Sequence, residues 1–410
     1  MNRRIHTVWN AWEEEDCVLP VPASWRVTDY SLPSGGALSP AAIWQILHGA
    51  LAEGTAASRL GAARSVCVLV DDATRPACWA ETLTALLDEL EAGGVPASRV
   101  RLLITLAGHA RMSDQELDWK LGASVRSRVD VLQHDVDGDF DWIEVEGRRI
   151  GLHPAYARAD YKIALGSLIP HPFAGFSGGG KAVLPGVADA ESIRQNHFLT
   201  KFGLGRVFDV NNEVRRQMDA AAAASGLDLL VNGVSNAKRE IAGLHAGPLS
   251  ETFRAGVEYA QRYSAMTLQR SHDLIILNAY PRDRQLLQVK NALNVFQTLP
   301  ASAAEACRAV ILMARLSAGL GHHALFGPGG SLYRTPVPIS YLRGRLLVFY
   351  CPAIDAAVFR QVFPGDWRLC HHWDDVVALL QSVSPQPCDV AVFHQASMQT
   401  ANGAELAARA

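Results

Sequence analysis

The strongest constraint on the fold is the alternation of short apolar runs with helical patterns along most of the 410-residue chain. Each run has the length of one buried strand, and helical segments such as Trp79–Glu91 separate the runs. Strands that alternate with helices are typical of βαβ units, so the pattern predicts an α/β fold with mostly parallel sheets. The predicted strands are Ser65–Val70, Val100–Leu106, Val129–Leu132, Tyr161–Leu165, Leu227–Val231, Asp273–Leu277, Ala309–Met313, Leu346–Tyr350 and Asp389–Phe393.

Two of the predicted helices have recognisable ends. Gly93 and Gly94 follow Trp79–Glu91 and are expected to end that helix. Ser113-Asp114-Gln115-Glu116 has the form of a capping box, in which the serine and the glutamate each bind the other's backbone amide. We therefore expect a second helix to begin there and to include Leu117–Leu121.

The chain is long enough to form more than one hydrophobic core. We predict an N-terminal α/β domain over residues 1–268, carrying the cofactor and the catalytic residues, and a C-terminal α/β domain over residues 269–410, contributing substrate contacts. The junction is expected within Ser264–Ser271, which falls between two sets of α/β units.

Charge and hydropathy exclude several classes of function. The formal net charge is -3, so no basic field attracts nucleic acid. No apolar run approaches the length needed to span a membrane. The segment Met1–Glu15 has two arginines but no apolar stretch after them, so it does not resemble a secretory signal. These features predict a cytoplasmic enzyme with no nucleic-acid or membrane partner.

The cysteines do not form a recognisable framework. Their number is odd, their spacings are wide, and no CxxC pair occurs, which argues against disulfides and against a thiolate zinc site. Several lie in apolar runs and are expected to be buried and reduced. They are Cys17, Cys67, Cys78, Cys307, Cys351, Cys370 and Cys388.

Polar and ionisable residues follow several of the predicted strands. Ligands bind at the carboxyl ends of strands in open α/β sheets, so these residues are candidates for an active site. Each also has a structural interpretation, such as a helix cap, a surface ion pair or a rigid turn. The segments are Asp71–Pro76, Gly108-His109, Pro170–Phe173 and Asn278–Pro281.

The most informative stretch runs from His171 to His197 and reads HPFAGFSGGGKAVLPGVADAESIRQNH. Its glycines allow a close approach of the backbone, and Lys181 follows them directly. The spacing matches the start of a phosphate-binding P-loop, but Ala182 stands where that motif requires Ser or Thr. The alternatives are a loop that binds another anionic cofactor, with Lys181 as nucleophile or anchor, or a flexible surface loop.

His197 lies near the end of a predicted helix, Ala190–Phe198. Imidazole is a common ligand for nickel, copper and zinc. The structural alternative is a histidine that interacts with the helix dipole.

Four motifs together resemble the nickel-pincer-dependent lactate racemase family. They are DDATRP at 71–76, GH at 108–109, HPFAGFSGGGKAVLPG at 171–186 and NH at 196–197, and their order and spacing agree with that family. The resemblance covers roughly residues 40–300 well and the remainder loosely. It implies two α/β domains with the active site in the cleft between them.

The resemblance also implies a cofactor and a role for each matching residue. The cofactor is a nickel-pincer nucleotide, a pyridinium-3-thioamide-5-thiocarboxylic acid mononucleotide that binds nickel through two thio groups and a nickel–carbon bond. It implies covalent attachment at Lys181, a nickel ligand at His197, and acid/base residues at His109 and His171. The remaining expected contacts are Asp72, Thr74, Ser177, Gly178 and Gly179 to the cofactor, and Arg75 and Gln288 to the substrate.

One segment departs from the family pattern. Members typically carry a Tyr-Gln pair, followed shortly by Lys, after a YPxD turn. Here the turn is present at 280–283 and Gln288 matches, but Leu287 replaces the tyrosine. Asn291 stands at the lysine position, with Lys290 one place early. These differences put lactate itself in doubt as the substrate.

The predicted function is racemisation or epimerisation of a 2-hydroxy acid by reversible hydride transfer. The α C–H bond beside a carboxylate is too weakly acidic for easy proton removal, whereas hydride removal gives a planar 2-keto acid. This chemistry requires a cofactor as hydride acceptor and bases for the hydroxyl proton. The expected partners are a small 2-hydroxy acid and the proteins that make the cofactor. The alternatives are a zinc hydrolase using His109, His171 and His197, and a non-catalytic binder of a nucleotide-like cofactor.

Overall fold

The computed structural model of the chain describes residues 3–11, 13–52 and 54–401. They divide into two compact units. Pro33–Ala260 is called here the central unit. The chain up to Leu32 and the chain from Gln261 onward together form the terminal unit.

Strands and helices alternate in both units. The strands are β1 Arg3–Trp9, β2 Glu15–Val21, β3 Trp25–Tyr30, β4 Val66–Asp71, β5 Val100–Thr105, β6 Asp130–Gln133, β7 Asp141–Val145, β8 Arg148–Leu152, β9 Tyr161–Ser167, β10 Pro170–His171, β11 Ala174–Phe176, β12 Arg206–Val207, β13 Leu229–Ser235, β14 Ile241–Gly247, β15 Ala265–Met266, β16 Leu274–Asn278, β17 Ala309–Met313, β18 Leu346–Tyr350, β19 Trp367–Cys370, β20 Cys388–Phe393 and β21 Thr400–Ala401. The α-helices are α1 Pro40–Ala52, α2 Gly54–Ala62, α3 Ala80–Ala92, α4 Asp114–Leu121, α5 Ala123–Arg128, α6 Pro154–Ala157, α7 Ala190–Phe198, α8 Glu213–Ala224, α9 Leu249–Ser264, α10 Leu286–Val289, α11 Asn294–Gln297, α12 Ala301–Ala306, α13 Ala356–Arg360 and α14 Trp373–Gln381.

The central unit is built on a six-stranded sheet with the order β14-β13-β9-β4-β5-β6. Every pair is parallel except β13 with β14. The middle strand β4 is buried along its whole length, as expected for a parallel strand covered on both faces. The carboxyl ends of β5, β4 and β9 are therefore neighbours, which brings the segments that follow them to one edge.

The terminal unit is built on a second six-stranded sheet, in the order β19-β18-β17-β16-β20-β3. All of its pairs are parallel. The α/β fold with mostly parallel sheets, predicted from the sequence, is thus confirmed.

The observed units differ from the continuous division at residues 268 and 269. The N-terminal β3 pairs in parallel with β20 and so joins the terminal sheet. Only its first and last residues, Trp25 and Tyr30, are buried, and it has no continuous apolar run, so the sequence pattern did not predict this strand. The contact boundary after the central unit falls between Ala260 and Gln261, before the predicted junction at Ser264–Ser271.

All nine predicted strands are present, with ends shifted by a few residues. The helix predicted at Trp79–Glu91 is α3, and Gly93 caps its end. Both hydrogen bonds of the predicted capping box at Ser113 and Glu116 are present at the start of α4. The hairpins β1–β2 and β7–β8 were not predicted, because their strands alternate in burial and lack apolar runs.

Candidate active site

A cavity in the central unit lies where the segments after β4, β5 and β9 meet. It is lined by Asp71, Asp72, Arg75, Thr105, Ala107, His109, Leu165, Gly166, Ser167, Ser177, Gly178, Lys181, Ala182 and Gly186. Six of the predicted site residues are therefore brought together by the fold. They are Asp72, Arg75, His109, Ser177, Gly178 and Lys181.

Asp72 and His109 form a buried pair at this cavity. The Asp72 carboxylate lies 2.6 Å from Nδ1 of His109, and its other oxygen accepts the backbone N–H of Thr74 at 2.6 Å. Burial raises the pKa of Asp72, but the charge and hydrogen bond of His109, with Arg75 and Thr74, outweigh it and hold that pKa well below its usual value. Asp72 is thus ionised, and it holds the Nδ1 proton of His109.

Thr74 and Arg75 continue this network. The Thr74 hydroxyl donates to Asp72 and accepts from the Arg75 guanidinium at 2.7 Å. The contacts of Thr74 are therefore with its own loop. Arg75 is buried, and its planar fork can bind both oxygens of a carboxylate.

Asp71 has a different task from its neighbour. Its carboxylate accepts from the Trp79 indole at 2.8 Å and from the backbone N–H of Ser167 at 2.7 Å. Lys120, which is fully buried, lies 2.5 Å from the same carboxylate and donates to the carbonyl of Arg75 at 3.2 Å. Asp71 and Lys120 therefore anchor the loop that carries Asp72 and Arg75.

Lys120 was missed by the sequence reasoning. The signal available was its position in α4, where it shares the buried face with Leu117 and Leu121. A lysine on an apolar helical face requires a buried partner.

The glycine-rich loop packs closely against the protein itself. A Cβ atom at Gly179 would lie 2.7 Å from the Phe253 ring, and one at Gly180 would lie 2.5 Å from the Met218 carbonyl oxygen. The Gly179 amide donates to the Asn232 side chain at 3.2 Å. The close approach predicted from these glycines is thus an approach to α8 and α9.

Two further side chains hold this loop in place: Arg215, which was not predicted, and Ser177, which was predicted as a cofactor contact. Arg215 of α8 is buried and donates to the carbonyls of Ala174, Phe176 and Gly178. The Ser177 hydroxyl accepts the Ile169 N–H at 3.1 Å and also donates to the Ser167 carbonyl. The loop that presents Lys181 is therefore fixed from both sides.

His197 lies in α7, whose bounds coincide with the predicted helix Ala190–Phe198. Its Nδ1 lies 3.1 Å from the Ile193 carbonyl oxygen, so Nδ1 carries the proton and Nε2 carries the lone pair. Burial, together with the nearby charge of Lys181, lowers the pKa of His197 to about 3, against the effect of the Ile193 hydrogen bond. A neutral imidazole in this tautomer has the chemistry of a metal ligand.

His171 lies in β10 and is buried. Its Nδ1 accepts the backbone N–H groups of Phe173 and Ala174 at 3.3 and 3.2 Å. The Phe173 ring packs edge-to-face against both His171 and His197, with centroid distances of 5.8 Å. The cavity lining includes neither histidine.

Gln288 is the predicted site residue that lies in the terminal unit. It is buried in α10, and its side-chain oxygen accepts a hydrogen bond from Arg282. Asn291 donates to the Gln288 carbonyl at 2.6 Å. Lys290 lies 5.4 Å from the Phe363 ring centroid, and burial lowers its pKa.

Among residues 3–11, 13–52 and 54–401, no group of three or more His, Cys, Asp or Glu side chains is placed to hold a metal ion. In the same part of the chain, no helix is long and apolar enough to cross a membrane.

Comparison with known proteins identifies relatives of the N-terminal part of the chain. Residues 19–203 match the family described as the lactate racemase N-terminal domain. A lactate racemase of Thermoanaerobacterium thermosaccharolyticum is 27% identical over 234 residues, which cover 55% of this chain and 54% of that protein. A lactate racemase of Lactiplantibacillus plantarum is 26% identical, with the same coverage. The matched region therefore spans about half the length of each curated relative.

Solved structures extend the likeness of fold to most of the chain. The lactate racemase apoprotein of Thermoanaerobacterium thermosaccharolyticum matches with a TM-score of 0.72 at 20% identity, covering 98% of this chain and all of that one. A protein of Thermotoga maritima matches with a TM-score of 0.67 at 15% identity, covering 91% of this chain and 100% of that one. At these identities the matches show the fold alone.

Proposed function

Because residues 19–203 match the lactate racemase N-terminal domain, we propose that the protein is a racemase or epimerase of a 2-hydroxy acid. The observation that carries the proposal is the cavity shared by the Asp72–His109 pair, Arg75 and Lys181. A base for a hydroxyl group, a cation for a carboxylate and an amine for a cofactor are the groups that such a reaction requires.

Different side chains act on the carboxylate and on the hydroxyl group of the substrate. Arg75 binds the carboxylate with its two parallel N–H groups. His109, with its proton held on Nδ1 by Asp72, takes the hydroxyl proton at Nε2, and the ionised carboxylate stabilises the imidazolium that forms. His171 is the second histidine assigned to the substrate.

The residues present also fit the cofactor that the family implies. Nε2 of His197 has a free lone pair in this tautomer, so His197 would hold the nickel of the cofactor. Lys181 lines the cavity and its charge acts on His197, so its amine would be available for covalent attachment of the cofactor. When bound, this group supplies the hydride acceptor for the α-hydrogen, which no side chain can provide. Ser177, Gly178 and Gly179 shape the wall next to Lys181, and Asp72 with Thr74 acts chiefly by holding His109.

In this proposal, activity requires partner proteins, because other proteins must synthesise the cofactor. Protein from a host without the biosynthetic proteins should fold and be inactive. In a competent host, the Lys181 peptide should carry the mass of the cofactor. Active enzyme with an unmodified Lys181 contradicts the covalent attachment.

The fate of the α-hydrogen tests the reaction type. The holoenzyme should convert one enantiomer in deuterated water into product that keeps its original α-hydrogen. A side chain that removed this hydrogen as a proton would exchange it with solvent, so extensive deuterium at the α-carbon after one conversion rejects the proposal. His109→Gln provides the control for background exchange.

The geometry does not favour a zinc hydrolase using the three histidines. His109 is paired with Asp72, whereas His171 and His197 pack against Phe173. The metal content of the purified protein distinguishes this alternative, since zinc without nickel in active enzyme supports it.

A further inference from the structure

Three hydroxyl side chains line the cavity of the candidate active site, and they differ in their hydrogen bonds. The Thr105 hydroxyl donates to the Val70 carbonyl at 3.3 Å. The Ser177 hydroxyl, predicted as a cofactor contact, accepts the Ile169 N–H at 3.1 Å and donates to the Ser167 carbonyl. Both groups are therefore engaged within the protein, where they hold the backbone in place.

The third of these residues, Ser167, ends β9 and is buried, with 1% of its surface exposed. Its backbone N–H donates to the Asp71 carboxylate at 2.7 Å, and its carbonyl accepts from Ser177. Among the residues that the structure describes, its hydroxyl group has no hydrogen-bond partner. The backbone of Ser167 is thus held on both sides, and its side chain presents the one polar group that this network leaves over.

A buried hydroxyl group without a partner costs free energy, because it has lost its hydrogen bonds to water. In the lining of a binding cavity, a bound molecule can supply that partner. Arg75 and Lys181 bring positive charge to the same lining. The carboxylates of Asp71 and Asp72 there are already paired, with a lysine and a histidine. The cavity therefore favours an anionic group, and a hydroxyl group forms its strongest hydrogen bonds by donating to a charged oxygen.

Resting on the racemase function proposed above, we propose that Ser167 is a further binding residue of this site. Its hydroxyl group donates a hydrogen bond to an anionic oxygen of the bound molecule. Two sources provide such an oxygen, the phosphate group of the mononucleotide cofactor and the carboxylate of the substrate. Asp71 and Ser177 are the positioning residues, since they fix the backbone of Ser167.

The stability of the apoprotein separates a binding role from a structural one. Ser167→Ala deletes a hydroxyl group that has no partner in the described part of the chain, so the midpoint of thermal unfolding should stay unchanged or rise. Ser235→Ala is the matched control. Ser235 ends the neighbouring strand β13 and is equally buried, and its hydroxyl group likewise has no partner in that part of the chain, but it does not line the cavity. A marked fall of the midpoint in Ser167→Ala alone would show that the hydroxyl group supports the fold, which overturns the proposal.

Binding to the apoprotein tests the contact without turnover. The probes are nicotinic acid mononucleotide, nicotinic acid riboside, which lacks the phosphate group, and the 2-hydroxy acids lactate and 2-hydroxyhexanoate. Titrations followed by NMR should show that Ser167→Ala weakens binding of the mononucleotide or of a 2-hydroxy acid by about tenfold or more, and that Ser235→Ala does not. Loss for the mononucleotide but not for the riboside identifies the phosphate group, and loss for a 2-hydroxy acid identifies the carboxylate. Equal loss for mononucleotide and riboside alone, unchanged affinity for every probe, or no binding to the wild type overturns the proposal.

The holoenzyme distinguishes failure of this proposal from failure of the proposed function. If the partner is the phosphate group, Ser167→Ala made in a cofactor-competent host should carry less cofactor on its Lys181 peptide. If the partner is the carboxylate, the variant should show a KM for the 2-hydroxy acid raised by about tenfold, with kcat little changed. A wild type that converts no 2-hydroxy acid contradicts the racemase function, while the titrations of the apoprotein still decide the role of Ser167.

Discussion

At the scale of the residue, the adjacent aspartates Asp71 and Asp72 at the end of β4 have separate structural roles. Asp71 ties the loop to Lys120, Trp79 and Ser167, and Asp72 holds His109. The sequence predicted that residues after this strand would meet residues after β5, because the ends of neighbouring parallel strands converge. It did not predict which aspartate pairs with the histidine, since this depends on side-chain direction at the strand end.

Lys120 is predicted to be essential for the stability of this loop. Lys120→Met keeps the length of the side chain but removes the charge that faces the buried Asp71. Breaking a buried ion pair costs about 3–5 kcal/mol, so the midpoint of urea unfolding should fall markedly. Lys238→Met, at an exposed position, should change the free energy of unfolding by less than about 0.5 kcal/mol. Equal midpoints for the two variants would show that Asp71 does not depend on Lys120.

His197 is predicted to be the protein's ligand to nickel. His197→Ala, made in a cofactor-competent host, should lose nickel and activity and keep its circular dichroism spectrum. Metal content is measured by elemental analysis, with His48→Ala at an exposed position as the control. Full nickel and full turnover in His197→Ala would show that the metal is held elsewhere.

At the scale of the element, helix α8 determines the shape of the glycine-rich loop. The motif itself predicts a close approach of the backbone, but it does not say to what, because the partner is distant in the sequence. In the structure, that partner is the buried face of α8, where Arg215 binds three loop carbonyls. The hairpins β1–β2 and β7–β8 were not predicted for a related reason. Their strands are stabilised by pairing with each other, and they have no apolar run that indicates a strand.

Arg215 and Arg216 provide a matched test of this role. Arg215→Met leaves three buried carbonyls without their donor, which should cost on the order of 3 kcal/mol and reduce activity by loosening the loop around Lys181. Arg216 is half exposed and pairs with Glu146 and Glu213, so Arg216→Met should cost less than about 1 kcal/mol. Thermal unfolding and limited proteolysis near residue 181 measure the two effects. The interpretation fails if Arg215→Met is no more destabilised than Arg216→Met.

At the scale of the whole molecule, the sequence predicted the alternating strands and helices of the fold. It did not predict that an N-terminal strand pairs with a C-terminal one. Apolar runs identified nine of the twelve strands in the two sheets, and β3, β14 and β19 were missed. The pairing of the edge strand β3 with β20 joins residues more than 350 positions apart in the sequence, and β3 has no apolar run that marks it as a strand of this sheet. This strand was therefore not predicted. The division at residues 268 and 269 assigned it to the N-terminal domain, whereas the structure assigns it to the terminal unit with β20.

Acid stability is predicted to depend on His134, a buried histidine that does not line the cavity of the proposed site. Burial, with the charge of His153, lowers the pKa of His134 to about 4. The unfolded chain binds this proton near the ordinary pKa of 6.5, so the stabilisation is complete above that value and is lost as the pH falls toward 4, by on the order of 3 kcal/mol. His134→Gln, which can still donate to the Ala188 carbonyl, should flatten the dependence of unfolding free energy on pH in that window. The exposed His6→Gln is the control, and an unchanged slope in His134→Gln would assign acid sensitivity to other groups.

The choice of substrate is predicted to depend on the terminal unit, where this chain departs from the lactate racemase pattern. Leu287 stands in place of a tyrosine and Asn291 in place of a lysine, so this segment is less polar and carries one cation fewer than the family pattern. Arg282 donates a hydrogen bond to the side-chain oxygen of Gln288 and so fixes that amide. The ammonium group of Lys290 contacts the Phe363 ring, so we do not expect Lys290 to replace the missing lysine at position 291. We therefore expect the enzyme to prefer 2-hydroxy acids with longer side chains over lactate, by about fourfold in kcat/KM for each additional buried CH₂. Initial rates over a series from lactate to 2-hydroxyhexanoate measure the preference, and Leu287→Tyr with Asn291→Lys should move it back toward lactate. If lactate is the best substrate of the series, the two replacements do not set specificity, and the pocket is closed by other residues.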